Sequence, residues 1–467
     1  MEKAKIGLIG LAVMGANLAR NIADKGFRTV VYNRTTEKTR KFIKEFGKEN
    51  LTGKESLEDF VSSLETPRKI IIMVKAGNPV DEVLGQLFPL LDNGDILVDC
   101  GNSYYKETKA RSEKLKKQDI YFVGCGVSGG EEGALKGPSL MPGGSKEAWE
   151  SMKEIWEAIA AKDFSGVACV TNVGEDGAGH FVKMVHNGIE YGVMQIISEA
   201  YDMLRRTYTL DPIQISNVFE EYSKGKLSSY LMDIVVLVLR KKDEDGNFLI
   251  DKILDQAEQK GTGMATAIDA IEHGVGLPTI VEAVIARIIS SNKSSRVTLS
   301  KKYPKPDPKL SIIRDIFVAK LENALYASML SCYAQGFELI KKASEENNWD
   351  INISEIARIW QGGCIIRAQV LKFIEEAFGN SQTNGPGLLD IKEIQDSINE
   401  ALPDWRDVIV TSVQSGIPTP GLSSALQYID SVSTGNLPAN LIQGLRDYFG
   451  AHGYERIDKD GVFHTEW

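Results

Sequence analysis

The order of apolar and polar positions divides this chain into two long parts and a short end. In the first 177 residues, short apolar runs alternate with longer segments of helical period. Strands are predicted at 5–10, 28–32, 69–74, 95–99 and 120–123. Such alternation is typical of a doubly wound parallel sheet with helices on both faces. We therefore predict an α/β, Rossmann-like domain over residues 1–177.

From residue 178 to residue 434 the apolar period is helical almost throughout, which predicts an all-α domain. Candidate helices include 249–257, 389–401 and 404–414. Residues 435–467 are rich in aromatic and charged side chains and have no core of their own. We expect them to form an extended C-terminal tail that packs on another subunit.

One stretch of the second part, residues 183–191, places polar side chains on one face of a helix. They are Lys183, His186, Asn187, Glu190 and Tyr191. At 1.5 Å per residue, the first and the fourth of these lie about 10 Å apart, enough to hold a small molecule between them. A solvent-facing stripe would continue. Here the next positions on that face are Met194 and Ile197, so we predict a functional site.

Composition narrows the classes of partner. The chain has 467 residues and a net charge of −10, which argues against nucleic acid or an anionic membrane. An anionic ligand would need a local cluster of Lys and Arg. Five cysteines without metal-ligand spacing indicate reduced thiols, a cytoplasmic setting and no metal site. No signal-peptide pattern opens the chain, and the apolar run at 234–239 is too short to span a bilayer.

A glycine motif follows the first predicted strand and opens a helix. It consists of Gly10, Leu11, Ala12, Val13, Met14 and Gly15. The two glycines allow a tight turn and close helix packing, and the helix N-terminus can receive a pyrophosphate. The motif therefore predicts a dinucleotide site.

The second strand ends in Asn33-Arg34-Thr35, where NAD sites place an acidic residue for the ribose 2′-hydroxyl. An amide, a guanidinium and a hydroxyl suit a 2′-phosphate instead. An ordinary turn with a solvated Arg is the alternative. We predict NADP as the cofactor.

Later strands end in further candidate contacts, since ligands bind at the carboxyl edge of such sheets. Val74, Lys75 and Ala76 follow one strand, and Asn102 follows the next, where we place it near the nicotinamide. A locally satisfied turn residue is an equally good interpretation of Asn102.

A second glycine-rich loop spans residues 124–134. Its Ser128 hydroxyl and the backbone N–H groups of Gly129 and Gly130 suit a carboxylate, whereas a plain flexible loop is the alternative.

Two features of the helical part suit a phosphate. Lys260-Gly261-Thr262 offers an ammonium, a hydroxyl and a helix start, although alone it would be interpreted as a linking turn. Arg287 lies in an otherwise apolar helix and is either extended toward solvent or aimed at an anion.

Together these motifs resemble the family of decarboxylating 6-phosphogluconate dehydrogenases over essentially the whole chain. The matching segments are residues 10–15, 33–35, 133–144, 183–191, 253–263 and 446–452. The resemblance implies NADP-dependent oxidation of 6-phosphogluconate to ribulose 5-phosphate and carbon dioxide. It also implies a homodimer in which each tail reaches the partner subunit.

The resemblance further implies roles for individual residues. Lys183 resembles the general base that later acts as an acid, and Glu190 the acid that protonates C1 of the enediol. Met14 would lie against the nicotinamide. The implied substrate contacts are Asn102, Ser128, Gly129, Gly130, His186, Asn187, Tyr191, Lys260, Thr262 and Arg287, with Arg446 and His452 from the partner's tail.

Two positions depart from the family pattern. Met264-Ala265 replaces the usual Lys-Trp, and there we expect packing to change and catalysis to survive. Asn78 stands where Gln is common, and there we expect a slight change in the cofactor contacts. Two other functions remain open: a related β-hydroxyacid dehydrogenase acting on an unphosphorylated acid, and a catalytically silent NADP-binding protein.

Overall fold

The computed structural model describes residues 2–303, 306, 312–379 and 387–467. Its first part is a sheet with the strand order β3-β2-β1-β4-β5-β6-β7. The strands are β1 (Ile6–Ile9), β2 (Thr29–Tyr32), β3 (Leu51–Gly53), β4 (Lys69–Ile72), β5 (Ile96–Asp99), β6 (Tyr121–Ser128) and β7 (Ser139–Gly143). Strands β1 to β6 pair in parallel, and β7 pairs antiparallel with β6.

Helices cover both faces of this sheet. They are α1 (Val13–Asp24), α2 (Thr36–Phe46), α3 (Leu57–Ser62), α4 (Asn78–Leu87), α5 (Tyr105–Lys116), α6 (Gly130–Lys136) and α7 (Lys146–Ile159). A 3-10 turn, Phe88–Leu90, follows α4. Strands β1, β4 and β5 are buried along their whole length, as expected for parallel strands covered on both faces. The predicted α/β fold is confirmed.

The second part is helical, also as predicted. Its helices are α8 (Ala178–Arg206), α9 (Pro212–Tyr222), α10 (Tyr230–Arg240), α11 (Thr262–Glu272), α12 (Pro278–Ser291), α13 (Lys293–Ser300), α14 (Arg314–Asn347), α15 (Ile353–Ile359), α16 (Gln369–Phe378), α17 (Lys392–Gln414) and α18 (Pro420–Val432). Two 3-10 turns lie at Leu249–Lys252 and Leu388–Asp390. The long helices α8 and α14 pack on each other at the centre. No helix among the described residues is long and apolar enough to cross a membrane.

Helix α8 approaches the sheet unusually closely, because glycines line the contact. A Cβ added to Gly126 of β6 would lie 2.4 Å from the Cβ of Lys183. One added to Gly179 of α8 would lie 2.1 Å from the carbonyl oxygen of Gly124. Real Cβ atoms do not come this close, so only glycine permits the packing. The first turns of α8 therefore lie directly against the carboxyl half of β6.

Two helix predictions were wrong in detail. The segment predicted as helix 249–257 is helical only as the 3-10 turn, and the residues after it are irregular. This segment is held by side chains of α12 and α13 instead: Asp255 pairs with Arg296 at 2.8 Å, and Ala257 N–H donates to Ser290 Oγ at 2.9 Å. The two helices predicted at 389–401 and 404–414 are one helix, α17, which contains Pro403.

The C-terminal tail is a small unit rather than an extended chain. Helix α19 (Ala439–Gly450) precedes a hairpin of β8 (Tyr454–Glu455) and β9 (Val462–Phe463). The buried Asp447 holds them together. Its carboxylate accepts bonds of 2.9–3.0 Å from Gly453 N–H, His464 Nδ1, Thr465 N–H and Trp467 Nε1. Burial alone would raise its pKa, but these donors lower the pKa of Asp447 to about 2.

Candidate active site

A cavity of about 210 Å³ lies where the sheet domain meets the helical part. The β5–α5 loop, helix α8 and the start of α11 each supply one wall. The lining residues are Asn102, Ser103, Tyr104, His180, Lys183, Met184, Asn187, Lys260, Gly261, Thr262 and Ala265. Side chains predicted from distant segments of the sequence therefore meet in one space.

Lys183 belongs to a chain of polar contacts along α8. Its Nζ lies 3.3 Å from His186 Nδ1, which lies 3.2 Å from Asn187 Oδ1 and 4.0 Å from Glu190 Oε2. The other ring nitrogen of His186 lies 3.3 Å from Ser128 Oγ, at the end of β6. The polar face predicted for this helix is thus turned inward and connected to the second glycine loop.

Burial disfavours charge on this face. It lowers the pKa of Lys183, an effect partly offset by Glu190 and Cys364. It lowers the pKa of His186 far below the usual range, and the nearby Lys183 adds to that shift. It raises the pKa of Glu190, against the opposite influence of Lys183 and Arg287. A lysine that gives up its proton more easily and a carboxyl that keeps it are suited to base and acid roles.

The loop that carries Asn102 is shaped by the buried Asp99 at the end of β5. The Asp99 carboxylate accepts the Gly101 N–H at 2.9 Å and the Ser103 hydroxyl at 2.6 Å. Asn102 itself is exposed and lines the cavity. The structure therefore favours a free side chain at this position over a locally satisfied one.

The predicted phosphate end lies around the start of α11. Gly261 precedes the helix with a φ of +87°, which favours glycine and opens the turn between Lys260 and Thr262. A Cβ on Gly263 would lie 2.4 Å from the ring of Tyr191, so α11 and α8 touch here. The Arg287 guanidinium stacks 3.5 Å above that ring. Arg287 Nη1 also donates to the Glu258 carbonyl at 3.0 Å, so this side chain is anchored rather than simply solvated.

The glycine motif has the geometry expected of a dinucleotide turn. Gly10 has a φ of +102°, and a Cβ on Gly15 would lie 2.0 Å from the Gly10 carbonyl oxygen. Among the residues that the structure describes, no side chain caps the N-terminus of α1, and Ala12 and Val13 are exposed. Backbone N–H groups at this helix start are therefore available to a pyrophosphate. Val74 is near the turn, 3.2 Å from where a Cβ on Gly10 would lie, and Lys75 and Ala76 follow it.

The residues at the end of β2 differ in what they offer a ligand. The side-chain Oδ1 of Asn33 accepts the Leu11 N–H at 3.0 Å, and its Nδ2 donates to the Thr35 carbonyl at 3.2 Å, so Asn33 shapes the glycine turn. The Arg34 side chain is 83% exposed and pairs with Glu82 of α4 at 3.3 Å. Its guanidinium can therefore turn to a phosphate.

The structure does not bring every predicted residue to the cavity. Arg446 and His452 lie in the tail, where both are exposed and Arg446 donates to Gln443 at 3.1 Å. Neither lines the cavity of its own chain.

Sequence reasoning also missed cavity residues. Tyr104 directly follows Ser103, and the buried His180 lies one turn before Lys183, bonded to Thr108 at 2.7 Å. In the sequence, these two residues could have been found only through their positions beside residues already predicted for the site.

A dinucleotide turn on a parallel sheet, joined to a helix that presents a buried lysine and carboxyl, defines the class of nucleotide-dependent oxidoreductases. Comparison with known proteins specifies the family. The NAD binding domain of 6-phosphogluconate dehydrogenase matches residues 5–174, and the C-terminal domain of 6-phosphogluconate dehydrogenase matches residues 179–467. The chain belongs to the 6-phosphogluconate dehydrogenase family, and the resemblance inferred from its motifs is confirmed.

Relatives match over the full length. The chain is 52% identical to the NADP(+)-dependent, decarboxylating 6-phosphogluconate dehydrogenase of Bacillus subtilis, over 100% of both chains. It is 50% identical to the decarboxylating 6-phosphogluconate dehydrogenase of Staphylococcus aureus, over 99% of both. Among solved structures, the Plasmodium falciparum 6-phosphogluconate dehydrogenase, studied with its cofactor NADP+ and its substrate 6-phosphogluconate, superposes with a TM-score of 0.96 at 43% identity. That match covers 99% of this chain and 100% of the other.

Proposed function

We propose that this protein oxidises 6-phosphogluconate with NADP and releases ribulose 5-phosphate and carbon dioxide. The observation that carries the proposal is the buried Lys183, 3.3 Å from His186 and beside a cavity that also contains Asn102, Lys260 and Thr262. In this proposal residues 1–177 bind the cofactor, 178–434 hold the substrate, and 435–467 reach a partner subunit. Five buried, unpaired cysteines suit a reducing cytoplasm.

The fit to NADP rests on the uncapped start of α1 and on Arg34. We infer that Gly10, Leu11, Ala12, Val13, Met14 and Gly15 receive the pyrophosphate and nicotinamide, and that Asn33, Arg34 and Thr35 surround the 2′-phosphate. Val74, Lys75, Ala76 and Asn102 would complete this surface. Bound NADP would supply the hydride acceptor for the C3 hydrogen of the substrate.

Lys183 begins the reaction in this proposal by removing the proton of the C3 hydroxyl. Its burial lowers its pKa, which makes the neutral amine that a general base requires easier to form. The product of oxidation is a β-keto acid. The Lys183 ammonium, now carrying the proton, polarises the new carbonyl so that the C1–C2 bond breaks and carbon dioxide leaves.

Glu190 completes the reaction by protonating C1 of the resulting enediol, where the carbons are now numbered as in ribulose 5-phosphate. Burial raises its pKa, which keeps a proton available. Ser128, Gly129, Gly130, His186 and Asn187 would hold the carboxylate and hydroxyls, and Lys260, Thr262, Tyr191 and Arg287 the phosphate. The stack of Arg287 on Tyr191 keeps that guanidinium at the phosphate end.

A homodimer with exchanged tails would complete the site with Arg446 and His452. The tail helix α19 supports this, because Leu441, Ile442 and Leu445 expose 54–65% of their surface in the single chain. An exposed apolar face of this kind indicates a protein interface. The Asp447 carboxylate accepts the Gly453 N–H at 3.0 Å and so closes the turn at the end of α19, which means that Arg446 and His452 would arrive as one preformed unit.

A steady-state assay tests the proposal. The purified enzyme is given 6-phosphogluconate with NADP or NAD, and reduced nucleotide and carbon dioxide are followed together. Equal amounts of both products, with NADP preferred, are expected. Faster oxidation of a short unphosphorylated hydroxyacid would favour the β-hydroxyacid dehydrogenase alternative, and no turnover of any acid would favour a silent NADP-binding protein.

A further inference from the structure

A buried junction between the two domains lies beside the cavity and has no role in the chemistry above. Its centre is Asp269 of α11, which has no solvent exposure. Its Oδ1 accepts the Tyr104 hydroxyl at 3.0 Å and lies 3.5 Å from Lys106 Nζ. Lys106 also pairs with Glu272, one turn further along α11. Thus the start of α5, in the sheet domain, binds one face of α11 in the helical domain.

The same two elements carry opposite walls of the cavity. Tyr104 follows Asn102 by two residues, and both line the cavity together with Ser103. Asp269 lies on the helix that begins at Thr262, two turns further along, or about 10 Å. Neither Asp269 nor Lys106 lines the cavity. Asp269 and Lys106 can therefore influence a ligand only by holding the two walls relative to each other.

Two physical features make the junction strong enough to hold the two cavity walls in place. A buried carboxylate without a donor is costly, so Asp269 favours the domain arrangement seen here, in which Tyr104 and Lys106 reach it. Burial raises the pKa of Asp269, while Tyr104 and Lys106 act in the opposite direction. The Lys106 ammonium also lies 5.5 Å from the Tyr104 ring centre, which adds a cation–π contact.

We propose that the Tyr104–Asp269 hydrogen bond, supported by Lys106, sets the distance between Asn102 and the phosphate cradle of Lys260 and Thr262. Tyr104 and Asp269 are then positioning residues that fix the length of sugar acid the site accepts. This inference rests on the proposed function for the identity of that acid.

The test compares three full-length variants: Tyr104→Phe, Asp269→Ala and the double variant. Each single change should raise KM for 6-phosphogluconate about tenfold, because a buried, charge-assisted hydrogen bond is lost. We expect kcat to stay within about twofold and KM for NADP to be unchanged. The double variant should be no worse than the more impaired single variant, because both changes remove one interaction.

Tyr208→Phe is the matched control. The Tyr208 hydroxyl donates to the Ile312 carbonyl at 3.0 Å, within the helical part and away from the cavity. Losing it should leave both KM values unchanged. A second measurement uses a phosphorylated sugar acid one carbon shorter as a competitive inhibitor. In the wild type it should bind less tightly than the substrate, and in Tyr104→Phe that preference should shrink, since the walls are no longer held at one distance.

Three results would overturn the inference. Unchanged KM with only a lowered melting temperature would make the junction merely structural. A raised KM in Tyr104→Phe but not in Asp269→Ala would mean that Tyr104 acts by touching the substrate. A wild type inactive on 6-phosphogluconate would overturn the proposed function and this inference together, whereas an active wild type with unaffected variants would overturn this inference alone.

Discussion

At the scale of single residues, the candidate active site consists of ionisable side chains whose charged forms are disfavoured by burial. Lys183 and His186 both have a lowered pKa and Glu190 a raised one, and burial is the largest cause in each case. Because burial favours the neutral form of His186, this ring adds no second positive charge beside Lys183. In the proposed mechanism such a face would hold one mobile proton at each end, as an oxidation followed by a decarboxylation requires.

Arg34 provides the clearest test of cofactor selection at this scale. Arg34→Ala should weaken NADP binding about 10- to 100-fold and change NAD binding little, because a guanidinium–phosphate contact is charge-assisted. The dissociation constants of both nucleotides can be measured by fluorescence titration. Arg40→Ala is the control, since Arg40 pairs with Glu55 on the surface of α2. Equal losses for NADP and NAD would refute the 2′-phosphate role.

Whether a site residue could be predicted depends on whether its partners are close to it in the sequence. The face of α8 and the glycine motif are local patterns, and both could be read directly from residue spacing. The partner of Tyr104 is 165 residues away, and Asp269 sits in an unremarkable helical sequence. Such a pairing depends on how two domains dock, which a single sequence does not express.

At the scale of elements, the approach of α8 to β6 decides where Lys183 lies. Gly126→Ala would place a methyl group 2.4 Å from the Lys183 Cβ, so the helix must shift. We expect kcat/KM for 6-phosphogluconate to fall about tenfold or more, because overpacking displaces the base. Gly85→Ala, whose added Cβ meets nothing within 4 Å, is the matched control and should keep full activity. Full activity in both variants would mean that the glycine contact does not position Lys183.

Helix α8 also carries a buried acid outside the cavity, Glu199, which accepts the N–H groups of Gly421 and Leu422 at the start of α18. Burial raises its pKa to about 7 from a usual 4.5, despite those bonds. A raised carboxyl pKa contributes stability that is complete below pH 4.5 and is lost as the pH rises through about 7. At about 1.4 kcal/mol for each pH unit, the loss is on the order of 3 kcal/mol.

Glu199→Gln should therefore remove this pH dependence. The variant's free energy of unfolding, relative to the wild type, should rise between pH 5 and pH 8 by on the order of 3 kcal/mol. Urea denaturation at several pH values measures it. Glu393→Gln, at an exposed position of α17, should show no such trend. If the difference in free energy of unfolding between Glu199→Gln and the wild type does not change with pH, the raised pKa of Glu199 is contradicted.

Element boundaries show why some of the fold escaped prediction. The segment predicted as helix 249–257 has helical spacing, but Asp255 and Ala257 are bound by side chains of α12 and α13. Tertiary contacts thus override local preference. Conversely, two helices were predicted at 389–401 and 404–414, yet the single helix α17 runs through Pro403 between them. The strands and α8 were predictable because burial on one or both faces gives the sequence a strong periodic pattern of apolar residues.

At the scale of the whole molecule, the proposed function implies that one chain holds an incomplete site. Arg446 and His452 are exposed on a tail unit whose apolar helix face is uncovered. The tail is preorganised by Asp447, so it can dock as a body. In the proposed homodimer, the base Lys183 and the phosphate ligand Arg446 of one site would come from different subunits.

Subunit complementation tests that separation. Lys183→Met and Arg446→Ala should each be nearly inactive as homodimers. After the two are mixed and allowed to exchange subunits, about one quarter of all sites should contain an intact Lys183 and an intact partner Arg446. The activity of the mixture should rise accordingly. A mixture no more active than its components would show that Arg446 does not serve the partner's site.

The central claim, that Lys183 is the base of a decarboxylating dehydrogenase, has one most direct test. Single-turnover reduction of NADP is measured for Lys183→Met with saturating 6-phosphogluconate, together with the dissociation constants of both ligands. We expect hydride transfer to slow about 100- to 10,000-fold while NADP binding stays unchanged, since a general base contributes that much. Rapid NADPH formation by this variant, at a rate near that of the wild type, would contradict the account.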